Sequence, residues 1–172
     1  MTNQTKKIAN MAVLVAVAMI FSYVESLIPI NFGVPGMKLG IANLVTVTGL
    51  YFLAVPEVLA VVAMRVLLTG FLFGNGMSII YSLAGGLLSV LVMAGMKKLK
   101  GFSIIGISMA GGIAHNIGQL AVAALVVESL KLVYYLPALL AAGAVTGFLI
   151  GLVSGKLIPV VKREAAKSLK TV

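Results

Sequence analysis

The 172-residue sequence contains no cysteine, no tryptophan and no aspartate, and only four glutamates. Without cysteine there is neither a disulfide framework nor thiolate chemistry. Without aspartate, and with the glutamates scattered, no carboxylate cluster can hold the magnesium that diphosphate chemistry needs. The single histidine, His115, has no acidic partner in its own segment, so no catalytic triad can be assembled. A glycine-rich loop ending in Lys-Ser/Thr is also missing, so the chain does not bind ATP in that way. These absences argue against a self-sufficient enzyme. No catalytic residue, metal site or cofactor is expected on this chain.

What the sequence has instead is hydrophobic length. Hydrophobic residues make up 61% of it and charged residues 10%, too little polar surface for a soluble fold of this size. Lipid must replace water, and every backbone N–H and C=O then needs an internal partner, in helices or a closed barrel. Barrel strands would alternate polar and apolar residues. The runs here are continuous and rich in Leu, Ala, Val, Gly and Met, so the expected fold is all-α, a polytopic six-transmembrane-helix bundle forming one domain.

The apolar runs predict helices over about 8–28, 39–54, 56–70, 78–96, 102–127 and 136–158, with a basic tail over 159–172. Lys6 and Lys7 before the first run resemble the start of a secretory signal. That run continues to Ile28 with no small-residue cleavage pattern before Pro29, so it reads as a membrane helix. The net charge of +9 is not a nucleic-acid footprint, because the basic residues flank apolar segments. With six spans, Lys6, Lys7, Lys97, Lys98, Lys100, Lys156, Lys162, Arg163, Lys167 and Lys170 collect on one side, and only Lys38 and Lys131 on the other. The positive-inside rule then places both termini in the cytoplasm of a multi-pass cell-membrane protein. The short hairpin around Pro56 is the weak point of this topology. If it were re-entrant, the later helices would flip.

Depth sorts the polar residues. Glu25 falls near the outer end of helix 1, and Arg65 five residues, roughly 7.5 Å, before the end of helix 3. His115, Asn116 and Gln119 occupy the middle and outer half of helix 5. Lys38 and Asn43 start helix 2, and Asn75 lies in an outer loop. Such groups are costly in hydrocarbon and normally face a cavity or each other. Their shared depth points to a pocket open to the exterior, with Arg65, His115, Asn116 and Gln119 contacting a small molecule and Lys38, Asn43 and Asn75 nearer its rim. Each also has a structural reading: His115 as an interhelical hydrogen bond, Arg65 with Glu25 as an ion pair, Asn116 as support for a kink. Arg65 favours an anionic or carbonyl-bearing group, and an apolar remainder suits a ring or prenyl fragment. Small residues four apart permit close helix approach. Ala12 and Ala16 form one such pair, and Gly143, Gly147, Gly151 and Gly155 form a ridge that could serve packing within the bundle.

Three stretches carry a family resemblance: Pro35-Gly36-Met37-Lys38-Leu39-Gly40-Ile41-Ala42-Asn43-Leu44, then Arg65 through Phe73-Gly74-Asn75, and Gly111-Gly112-Ile113-Ala114-His115-Asn116-Ile117-Gly118-Gln119. Together they resemble the Gx transporter family, also labelled heptaprenyl diphosphate synthase component I, over nearly the whole chain. That family is similar to the substrate-binding S components of energy-coupling-factor (ECF) transporters. The resemblance implies a six-helix subunit that captures a small nutrient from outside and associates with a transmembrane coupling subunit and two ATPase subunits. It implies that Ala12 and Ala16 dock on the coupling subunit, and that the loop Pro29–Lys38 occupies the gate position between helices 1 and 2. The tryptophans that line some thiamine- or riboflavin-type sites are missing, which counts against those substrates. The enzyme label offers an alternative, a non-catalytic membrane subunit associated with heptaprenyl or polyprenyl diphosphate synthesis in an isoprenoid or menaquinone pathway. A structural partner in a larger membrane complex is a third reading.

Overall fold

The computed structural model describes residues 3–27, 40–99 and 101–168. The expected gate loop and Lys38 lie outside the described residues. Within them the chain forms six α-helices: α1 Asn3–Leu27, α2 Asn43–Gly49, α3 Val55–Phe73, α4 Gly76–Lys98, α5 Ile104–Val126 and α6 Leu136–Ser168. A 3-10 segment, Leu130–Tyr135, precedes α6. Local chemistry sets several of the starts. Pro56 sits in the first turn of α3, where a missing N–H costs nothing. Asn75 caps α4: its Oδ1 accepts from Ser78 N at 2.8 Å, while Asn75 N donates to Ser78 Oγ at 3.1 Å. Ser103 caps α5 by accepting from Gly106 N at 3.1 Å.

Five helical stretches are long and apolar enough to cross a membrane: Lys7–Leu27, Val55–Phe73, Gly76–Lys98, Ile104–Val126 and Leu130–Arg163. The protein is a multi-pass membrane protein. The second helix differs from its expected span of 39–54, since regular α-helix covers only Asn43–Gly49. Turn hydrogen bonds extend the helical rise from Gly40 to Leu53, about 20 Å at 1.5 Å per residue. Nearly all of 42–50 is buried, so this element packs inside the bundle and needs no lipid-matched length.

Its two ends settle the hairpin question. Gly40 N donates to Glu25 Oε1, near the end of α1. At the other end Leu50 O accepts from Lys97 Nζ in the last turn of α4, and Glu57 of α3 pairs with Lys7 at the start of α1. Lys7 and Glu25 are about 27 Å apart along α1. The second pass therefore returns through the bundle antiparallel to α1, and the order of later helices is kept. The helices pack as a ring, α1 beside α3, then α4, α5, α6 and α2, which closes on α1.

Other bounds shift modestly. The expected loop over 71–77 shrinks because α3 runs on to Phe73 and α4 starts at Gly76, and the first helix begins at Asn3. The connection over 128–135 contains the 3-10 turn. The expected break at Pro159 does not occur: α6 continues through it to Ser168. Proline removes one backbone hydrogen bond, which a long helix survives when its flanks are anchored.

Gly143, Gly147 and Gly151 let α6 touch the α5 backbone. A Cβ on them would lie 2.7 Å from Gly112 O, 2.6 Å from Met109 Cα and 2.7 Å from Ile105 Cα. Gly155, the fourth member of the ridge, has nothing within 4 Å. An apolar core of Val47, Leu50, Val58, Val62, Val90 and Met93, among others, fills the half of the bundle nearer Lys97. The costly polar side chains sit in and above the middle, toward the Glu25 end.

Candidate functional site

Arg65 of α3 is buried, with 7% of its surface exposed. One edge of its guanidinium is anchored: Nη1 donates to Ser22 Oγ on α1 at 3.3 Å. The other edge, Nε and Nη2, finds no hydrogen-bond partner among the described residues. Glu25, one turn beyond Ser22, lies within electrostatic reach of Arg65. Glu25 also holds Gly40 N, which ties the start of the second pass to the same place.

His115 and Gln119 reach this region from α5, 4% and 1% exposed. The imidazole lies against Gly85 of α4 and interacts electrostatically with Arg65. Its Nδ1 is unpaired among the described residues, as are both amide atoms of Gln119. Two adjacent glycines of α4 make this possible. A Cβ on Gly85 would lie 2.6 Å from His115 O, 2.7 Å from Gln119 Cγ and 3.2 Å from His115 Cε1. One on Gly86 would lie 2.7 Å from Val62 Cγ1 and 4.0 Å from Arg65 Nη2. Gly85 and Gly86 thus mark where the arginine of α3 and the His115–Gln119 face of α5 converge across α4.

The remaining expected site residues divide. Asn43 is buried in the first turn of α2, and its N–H donates to Gly40 O at 2.8 Å, next to the carboxylate of Glu25. Asn116 points elsewhere: its Nδ2 donates to Leu139 O at 2.7 Å and joins α5 to α6. Asn75 is exposed and serves as the α4 cap. Ala12 and Ala16 are exposed on α1 and line a groove of about 480 Å³ with Ala60, Val61, Met64 and Leu68 of α1's neighbour α3. No cluster of His, Cys, Asp or Glu suited to a metal occurs among the described residues.

Ser22, Gly85 and Gly86 were not singled out by the sequence. The Gly-Gly pair carried a usable signal, because each glycine in a helix interior costs about 1 kcal/mol relative to alanine. Two in succession within an apolar helix point to a close approach. Ser22 had no comparable mark, since one serine in a membrane helix is unremarkable.

The family described as heptaprenyl diphosphate synthase component I matches residues 14–157. The chain belongs to this family. No curated protein matches it. Among solved structures, the S component of a bacterial ECF transporter superposes with a TM-score of 0.60 at 17% identity, over 98% of this chain and 99% of that one. At that identity the likeness establishes a shared fold, so this member of the component I family has the six-helix architecture of an ECF S component.

Proposed function

We propose that the chain is the substrate-binding membrane subunit of an ECF-type transporter, taking up a small nutrient or precursor, with ATP hydrolysis supplied by other chains. The observation that carries this reading is the convergence of unpaired polar atoms on Arg65, His115 and Gln119 inside a bundle of S-component fold. Buried unpaired groups of this kind cost about 1–3 kcal/mol each. Their retention together makes sense where a ligand supplies the missing partners. Both termini lie in the cytoplasm by the charge distribution, which puts the polar half of the bundle toward the exterior. The groove at Ala12 and Ala16 is the face for a transmembrane coupling subunit, where small side chains permit close helix contact. Two ATPase subunits complete the assembly, and this chain needs no cofactor of its own.

Purification from a mild detergent tests the proposal. Recovery of a coupling subunit and ATPases with the chain supports it, and recovery of none of them refutes it. The family description favours a second reading, a membrane subunit attached to a prenyl diphosphate synthase. With no aspartate in the sequence, this chain would contribute no metal-binding motif to that reaction. A rise in prenyl transferase activity on adding the purified chain to a soluble synthase would support that reading.

A further inference from the structure

Two lysines meet on the ring of Tyr51, at the end of the second pass. Lys97, in the last turn of α4, places Nζ 4.9 Å from the ring centroid, and Lys162 of α6 places its own at 5.9 Å. Lys97 Nζ also donates to the carbonyl of Leu50, which occupies one of its three protons. Two like charges are thus gathered at one neutral ring, where each raises the energy of the other. Contact with the aromatic face offsets part of that cost, but it cancels none of the charge.

No carboxylate pairs with either lysine among the described residues. Glu57 is engaged with Lys7. Glu25 stands at the opposite end of the bundle with Gly40, and Glu128 follows α5 at that same far end. Glu164 is two residues past Lys162, about 200° around the helix from it. Both lysines are exposed, and both fall at the ends of membrane-crossing stretches, Gly76–Lys98 and Leu130–Arg163. That is the level at which hydrocarbon gives way to headgroups. Apolar surface borders the pair: Phe52 next to Tyr51, and Pro159 and Val161 just before Lys162, are exposed as well.

We infer that Lys97, Lys162 and Tyr51 form a site for the phosphodiester of an anionic phospholipid, whose acyl chains lie along the bordering apolar surface. Ammonium protons of both lysines donate to the phosphate oxygens, and the ring keeps the two groups together. A zwitterionic headgroup carries its own cation and leaves the pair uncompensated. A soluble anion satisfies the charge but has no use for the apolar border. The site is at the other end of the bundle from Arg65 and does not depend on the transport role.

The test is the Tm of the full chain in detergent micelles titrated with dioleoylphosphatidylglycerol, dioleoylphosphatidylcholine or inorganic phosphate, since a ligand of the folded state raises Tm saturably. At 0.5 M salt the Debye length is about 4 Å, so diffuse attraction is screened while direct contact persists. Phosphatidylglycerol should raise Tm, and the other two should not. Lys162 makes no hydrogen bond among the described residues, so Lys162→Gln should fold normally. It should need about tenfold more phosphatidylglycerol for the same shift, the worth of one hydrogen bond to a charged group. Lys162→Arg should restore the response. Lys98→Gln removes the same charge one residue from Lys97, about 100° around α4, and should change the response by less than about twofold. The inference is overturned if phosphatidylcholine or inorganic phosphate stabilises the chain as well as phosphatidylglycerol does, or if none of them stabilises it. Equal effects of Lys162→Gln and Lys98→Gln would reduce the site to diffuse attraction and overturn it too. So would a Lys162→Gln chain that keeps its lipid response but no longer recovers a protein partner, because the lysine pair would then serve an acidic protein surface.

Discussion

Replacing Gly85 with alanine should loosen the bundle at the candidate site, and a second glycine in the same helix supplies the control. A Cβ at position 85 would stand 2.6 Å from the His115 carbonyl oxygen and 2.7 Å from Gln119 Cγ. The first obstacle is backbone, which cannot rotate aside, so α4 and α5 must separate by roughly half an ångström. A gap of that size forfeits about a quarter of the dispersion well for contacts on either side, and overpacking of this kind costs about 1–3 kcal/mol. Alanine returns about 1 kcal/mol through helix propensity. At Gly95, also in α4, nothing lies within 4 Å of the added carbon, so Gly95→Ala receives the propensity gain alone. Propensity cancels between the two variants, leaving a difference of about 1–3 kcal/mol. Reversible unfolding in mixed micelles, followed by circular dichroism, reads that difference directly. Equal stability of Gly85→Ala and Gly95→Ala would refute the close approach of α4 to α5 at His115.

Other variants divide structural from functional polar residues. Asn75→Ala removes the α4 cap and should cost about 1 kcal/mol in the same unfolding assay, with ligand binding unchanged. Asn116→Leu breaks the bond to Leu139 O and should destabilise by about 1–2 kcal/mol. A variant as stable as wild type would show that this contact does not hold α5 to α6. Ala12→Leu and Ala16→Leu place bulk in an exposed groove, so the Tm should hold while recovery of a coupling subunit falls severalfold in pull-down. Undiminished recovery in both would remove the docking role from this face.

The sequence displayed those features whose cause is local or one-dimensional. Five long apolar runs declared themselves because lipid demands unbroken hydrophobic length, and they recur in the structure, the first four of them within a few residues at each end. The second pass was harder. Its outer boundary is lipid-independent, since Asn43–Gly49 is surrounded by protein, and a hydropathy pattern cannot distinguish such an element from a full span. Pro159 misled in the opposite direction, because a helix end was expected where one missing N–H is tolerated. The depth argument brought Arg65, His115 and Gln119 to one level, and the structure brings them to one place around Gly85 and Gly86. It could not separate Asn116 from them. Asn116 is adjacent to His115 in sequence but about 100° away around a helix of 3.6 residues per turn, and so it faces α6. Asn75 was likewise a cap, recognisable by its bond to Ser78 but not by depth.

The central claim is that the buried polar cluster exists to hold a small molecule captured by a transport subunit. Native mass spectrometry of the chain released from its own cell membrane in mild detergent tests it most directly, with wild type and Gln119→Met compared. The account predicts a small-molecule adduct on wild type that is reduced or lost in Gln119→Met, and larger species containing a coupling subunit and ATPases in both. Adduct-free wild-type chain, found bound only to a soluble prenyl diphosphate synthase, would contradict it.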